Sequence, residues 1–96
     1  MLYDNKTAER LASLYSVVVR LDSLDDCARF FEDLCTIGEL QAMAQRWEVA
    51  KRLRLGQPYT EIAEITGASS ATISRVNRAL NHGADGYLRM LEAMDD

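Results

Sequence analysis

The chain is poor in most of the residues that build reactive sites. Its 96 residues include two cysteines, one histidine, one tryptophan and one proline. A structural zinc site needs four soft ligands at close spacing, which Cys27, Cys35 and His82 cannot supply, so no metal is expected. The two thiols stand eight residues apart, slightly more than two helical turns, and read as small core residues in a reducing compartment. No apolar run of about 18 residues occurs, which excludes a membrane-spanning helix. The opening MLYDNKTAER carries charges where a signal peptide would need apolar residues, so a cytoplasmic protein is expected. Ser69-Ser70 lacks a G-x-S-x-G context and has no histidine base nearby in sequence. His82 suits the C-terminus of a helix, and the carboxylates fall on faces expected to be solvated, so no enzyme is expected. Strand-like alternation is missing as well. With Pro58 alone and glycines only at 38, 56, 67, 83 and 86, the punctuation is that of an all-α chain.

What is present supports a single helical domain over residues 1–96, since 48% of the residues are apolar. The net charge of −4 argues at first against nucleic acid. Its distribution matters more: residues 1–35 hold four Lys/Arg against seven Asp/Glu, residues 36–82 six against four, and residues 83–96 one against four. The basic charge gathers in the middle segment, and a local basic face is what a phosphate backbone feels.

Six helices are expected. The first runs from about Thr7 to Leu21 and is apolar on nearly every face. Ser23 caps the second, with Asp25 and Asp26 in its first turn and Phe30, Phe31 and Leu34 as anchors. Thr36 and Glu39 match a capping box opening a long third helix, whose apolar stripe is Leu40, Met43, Ala44, Trp47, Ala50, Leu53 and Leu55. Gly56 stops it, Pro58 suits the first turn of a fourth helix to about Thr66, and Ser69 caps a fifth that ends near Gly83. Asp85 opens a short sixth. A helix apolar all round must be buried all round, and so short a chain has little to wrap around the first one. A second copy is the economical cover, so residues 7–55 and 85–95 are expected to build an intertwined homodimer.

YTEIAEITGASSATISRVNR, residues 59–78, fits a helix-turn-helix. Ala63 is the small residue at the helix crossing, with Ile62 beside it. Gly67 suits a turn at positive φ, and Ile73 and Val76 lie on one face of the second helix. An ordinary helical hairpin makes the same demands, so the outward face decides. Residues 69–78 contain no acid, where a structural surface helix usually carries Glu, Lys and Gln. Short side chains let a helix approach base edges, and arginine reaches guanine or phosphate. Ser69, Ser70, Ala71, Thr72, Ser74 and Arg75 are therefore candidate base-side residues. Tyr59, Thr60 and Arg78 are candidates for the DNA backbone.

The span TIGELQAMAQRWEVAKRLRLGQPYTEIAEITGASSATISRVNRAL resembles the Trp repressor family, and most nearly its small Gram-positive members. T-x-x-E-x-x-A at Thr36, Gln45-Arg46, Gly56 and G-A-x-x-A-T-I-S-R at Gly67 to Arg75 carry the resemblance, which covers about residues 7–95. It implies an intertwined six-helix dimer that binds double-stranded DNA. In the founding member, a threonine, two arginines, a glycine and a serine hold tryptophan. Thr36, Arg46 and Arg75 match three of these places and form a candidate effector pocket. Val76 and Ala79 replace the glycine and the serine, so weak or no tryptophan binding is expected. Arg46 then becomes a solvated or ion-paired helix residue. The expected function is that of a dimeric, sequence-specific DNA-binding regulator, a repressor that reads a near-palindromic operator through the major groove. The alternative is a protein-interaction module on a helix-turn-helix scaffold, which the acidic ends and a pI near 4.9 favour.

Overall fold

The computed structural model of the chain describes residues 3–95, so the outermost residues of the expected 1–96 domain lie outside the described residues. Six helices follow one another: α1 (Asn5–Val18), α2 (Leu24–Leu34), α3 (Ile37–Arg54), α4 (Tyr59–Thr66), α5 (Ser70–His82) and α6 (Gly86–Met94). No strand occurs among the described residues.

Local chemistry explains most of the boundaries. α1 starts two residues earlier than expected because Asp4 caps it, accepting from the Thr7 N–H at 2.7 Å. That backbone bond, then the Thr7 hydroxyl, hold the Asp4 carboxyl below its usual range. Ser23 caps α2 as expected, accepting from the Asp26 N–H at 3.0 Å. α3 closes in a Schellman arrangement, with Gln57 N–H bonded to Arg52 O at 3.2 Å and Gly56 N–H to Leu53 O at 3.0 Å. Gly56 sits there at φ 80°, a left-handed conformation that costs glycine little. Two expectations shift. Pro58 is the N-cap of α4 rather than a member of its first turn, and it offers no side-chain cap. Asp85 precedes α6 in a left-handed conformation, φ 66°, and its side chain makes no capping bond.

The chain divides into two compact units, residues 1–37 and 38–96. In the first, no residue of α1 or α2 is buried. Phe30 and Phe31 meet edge to face with ring centroids 5.7 Å apart.

The second unit contains the core. Val49 and Ala50 of α3, Ile62 of α4, Ala68 of the turn, Ile73 and Val76 of α5, and Leu91 of α6 form one buried cluster. α4 packs on α5, and α5 on α6. The α3 stripe differs from expectation: Val49 is fully buried, whereas Leu55 lies beyond the helix and is exposed. The chain turns at Gly56 before Leu55 can follow the helical face inward. Trp47 stacks on Tyr87 at 6.4 Å between centroids, joining α3 to α6. Arg54 Nη2 meets Asp95 Oδ2 at 2.6 Å and links the ends of the same two helices. Glu48 pairs with Lys51 and Arg52 at 2.7 and 3.1 Å. The bond from Lys51 is the main cause holding its carboxyl below the usual range.

Ile62 has no solvent exposure and stands among residues from four helices and a turn. Ile62→Ala is expected to cost about 2–5 kcal/mol, since transfer and cavity terms add at a site packed from several directions. Urea denaturation at fixed protein concentration checks this. A loss well under 1 kcal/mol would mean that α4 is not anchored through this residue.

Candidate nucleic-acid interface

α4 and α5 are short helices whose relation to one another rests on the turn between them. Gly67 closes α4 at φ 74°, with its N–H on Ala63 O at 2.9 Å. L side chains with a Cβ rarely adopt this conformation, so glycine is chosen here by the backbone. α5 then begins under a two-way cap between Ser69 and Thr72. The Thr72 N–H donates to Ser69 Oγ at 3.1 Å, and the Ser69 hydroxyl donates to Thr72 Oγ1 at 3.1 Å.

Packing assigns the faces of α5. Ile73 and Val76 are buried and Leu80 packs beside them, which sets the inward side. Ser70, Ala71, Ser74, Arg75 and Arg78 are all exposed. Their spacing puts them together on the opposite side of the helix. Of the candidate base-side residues, Ser69 is exposed and Thr72 half-buried, and the hydroxyls of both are engaged in the cap. Their chemistry toward a ligand is thereby narrower than that of Ser70 and Ser74. Tyr59 and Thr60 are exposed at the start of α4.

The cations separate into two groups. Lys51, Arg52 and Arg54, at the end of α3, are all paired with carboxylates. Arg75 and Arg78 on α5 have no carboxylate within ion-pair distance among the described residues. An unpaired guanidinium on an exposed face is free to take a phosphate or a guanine edge without first breaking a bond.

Arg46, expected as a solvated or ion-paired residue, keeps part of its surface exposed. It is half-buried, has no ion pair among the described residues, and lines a cavity of about 270 Å³ with Arg75, Val76, Ala79 and Tyr87. Two guanidiniums facing one cavity favour an anion there. Val76 is 2% exposed and belongs to the core as well as to the cavity wall. Thr36, the third matching position, lies in the other unit and is exposed. Tyr87 was not among the candidate residues, because its place in this wall follows from the path of α6 rather than from any motif. No group of three or more His, Cys, Asp or Glu suited to a metal ion occurs among the described residues. None of the helices there is long and apolar enough to cross a membrane.

These features define a helix-turn-helix protein: two short helices, a left-handed glycine between them, and a second helix apolar inward and cationic outward. The model of the family described as Trp repressor protein matches residues 9–95. The chain is 47% identical over 96 residues to the uncharacterised protein YerC of Bacillus subtilis (strain 168), covering all of this chain and 92% of that one. A TrpR-like protein from Eubacterium eligens ATCC 27750 superposes with a TM-score of 0.89 at 49% identity, over 96% of each chain. A candidate Trp repressor from Staphylococcus aureus gives 0.86 at 41% identity, over 91% of this chain and 87% of that one. The chain belongs to the Trp repressor family, whose fold is that of transcription regulators.

Proposed function

We propose that the protein is a homodimeric, sequence-specific DNA-binding repressor that reads a near-palindromic site with α5 and does not respond to tryptophan. The outward face of α5 carries this reading. Ser70, Ala71 and Ser74 keep the helix surface low, and Arg75 and Arg78 stand beside them without an ion pair among the described residues. Base-edge contacts belong to the N-terminal half of α5, and Tyr59, Thr60 and Arg78 flank it toward the phosphates. In a two-fold dimer the two copies of α5 lie about one helical turn apart, roughly 34 Å, a spacing for which Trp repressor is itself a type example.

Exposed apolar residues support the second copy. Leu24 is 92% exposed and Val19 80%, and neither α1 nor α2 buries any residue within its own chain. Trp47, Ala79, Ala84, Gly86, Tyr87 and Met90 border an open apolar cavity of about 520 Å³ on the second unit. Large apolar side chains left exposed together suit a subunit interface. An intertwined dimer in which α1, α2 and α6 exchange cover accounts for them.

Tryptophan is opposed by Val76 and Ala79. The β-branched side chain of Val76 is packed into the core where an indole would need space, and Ala79 has no hydroxyl to hold an ammonium group.

Selection of bound duplexes from a random DNA pool is expected to return a two-fold symmetric consensus. Arg75→Ala then loses about 1–3 kcal/mol on the selected site and tolerates changes at one base pair. Arg78→Ala weakens binding evenly across sequences and lowers the salt slope by about 1. A wild-type protein that retards no duplex at low salt would favour the protein-interaction module, which the acidic pI of 4.9 suits.

Sedimentation at micromolar concentration is expected to give a dimer, and a stable, folded monomer would end the dimer proposal. Calorimetry with tryptophan is expected to show no micromolar binding; a saturable, tryptophan-specific heat in that range would overturn the assignment of Val76 and Ala79.

A further inference from the structure

The turn that launches α5 has a nearly complete hydrogen-bond account, and one member of it comes from α3. A helix end leaves its last carbonyls without intrahelical partners. At the end of α4 the Thr66 hydroxyl donates to Ile62 O at 2.7 Å and accepts from the Ala68 N–H at 3.2 Å. Gly67 N–H is taken by Ala63 O at 2.9 Å, and Thr72 N–H by the Ser69 cap. The Thr66 carbonyl receives the side-chain amide of Gln45, Nε2 to O at 3.1 Å, across 21 residues of sequence. Gln45 is half-buried, as is Thr66, and Ala68 is buried, so the turn faces protein on this side. Three residues, Gly67, Ala68 and Ser69, separate Thr66 from Ser70, the first residue of α5. The direction in which α5 leaves the turn therefore depends on how that carbonyl is held.

We propose that Gln45 is the positioning residue of the helix-turn-helix: its amide clamps the Thr66 carbonyl to α3 and so sets where Ser70, Ala71 and Ser74 meet DNA. This rests on the assignment of α5 as the reading helix. Gln45 acts through the turn rather than by touching DNA. Its contribution is preorganisation, because a recognition helix already held in its bound orientation loses less freedom on binding. Val49 and Ala50 one turn further along α3 hold the same pair of helices by burial, which has no direction of its own. The hydrogen bond adds the direction.

Gln45→Met keeps the length of the side chain and removes the donor. Gln45→Glu keeps its shape and, when ionised, only accepts, giving a second route should the first variant fail to fold. In either variant the amides of Gly67 and Ala68 are expected to exchange faster than in the wild type, while those of Val49 and Ala50 stay protected. Affinity for the duplex selected by the wild type is expected to fall about tenfold, with weak binding to unrelated duplexes unchanged. Wild-type affinity for the selected duplex overturns the positioning role, and so does an equal loss on both kinds of DNA. If the wild type selects no duplex, the assignment of α5 fails separately. The exchange rates still decide the clamp in that case: faster amides at Gly67 and Ala68 support it, and unchanged ones overturn it.

Discussion

Ile62, Ile73 and Val76 share one buried cluster with Val49 and Ala50, and the second unit depends on that burial. α4 has 8 residues and α5 has 13, lengths at which isolated helices are marginal in water. Neither is held by propensity alone. Joining one core cluster with residues of α3 gives each a buried side, and burying one side leaves the other free of structural duty. The outward residues of α5 can therefore be short, hydroxylic and cationic without loss to the fold. Ser69 caps α5 while standing exposed at the edge of the outward face.

The two units meet the cost of a small core differently. The second concentrates burial in seven residues and directs them with a few polar bonds. The first has helices that carry several large apolar side chains without a buried residue, which in water is an unfavourable way to spend hydrophobic side chains. A chain of this length cannot easily supply both a reading unit and a cover for α1 and α2, because small domains bury a smaller share of their surface. In the proposed dimer a second protomer would supply that cover and, by two-fold symmetry, would also present two reading helices. Stability and recognition would then draw on the same apolar residues.

Much of the fold was legible in the residues. Caps are local, so Ser23 and Ser69 mark helix starts without reference to packing. Gly67 was legible because a left-handed turn admits few other residues, and Ile73 and Val76 because three-residue spacing puts them on one face. Boundaries without such signals moved: Asp4 caps α1 ahead of Thr7, and α1 ends at Val18 rather than Leu21. Pro58 and Asp85 each occupy a helix start without capping it through the side chain. Of the site, the outward face of α5 was readable from its composition. The role of Gln45 was not, although the Gln45-Arg46 pair carried part of the family resemblance. Its partner is a backbone carbonyl, and carbonyls look alike in sequence.

The sequence by itself determined the helical class, the helix-turn-helix and the division of α5 into an inward and an outward side. Each of these follows from the conformational limits of single residues and from helical periodicity, which act over a few positions. Only the tertiary structure decided that Val49 is core while Leu55 is exposed, that Arg46 faces a cavity with Arg75, and that Gln45 reaches Thr66. Those outcomes depend on the angle and depth at which α4, α5 and α6 settle against α3. Angle and depth are set by many weak contacts at once, and no short stretch of residues contains them.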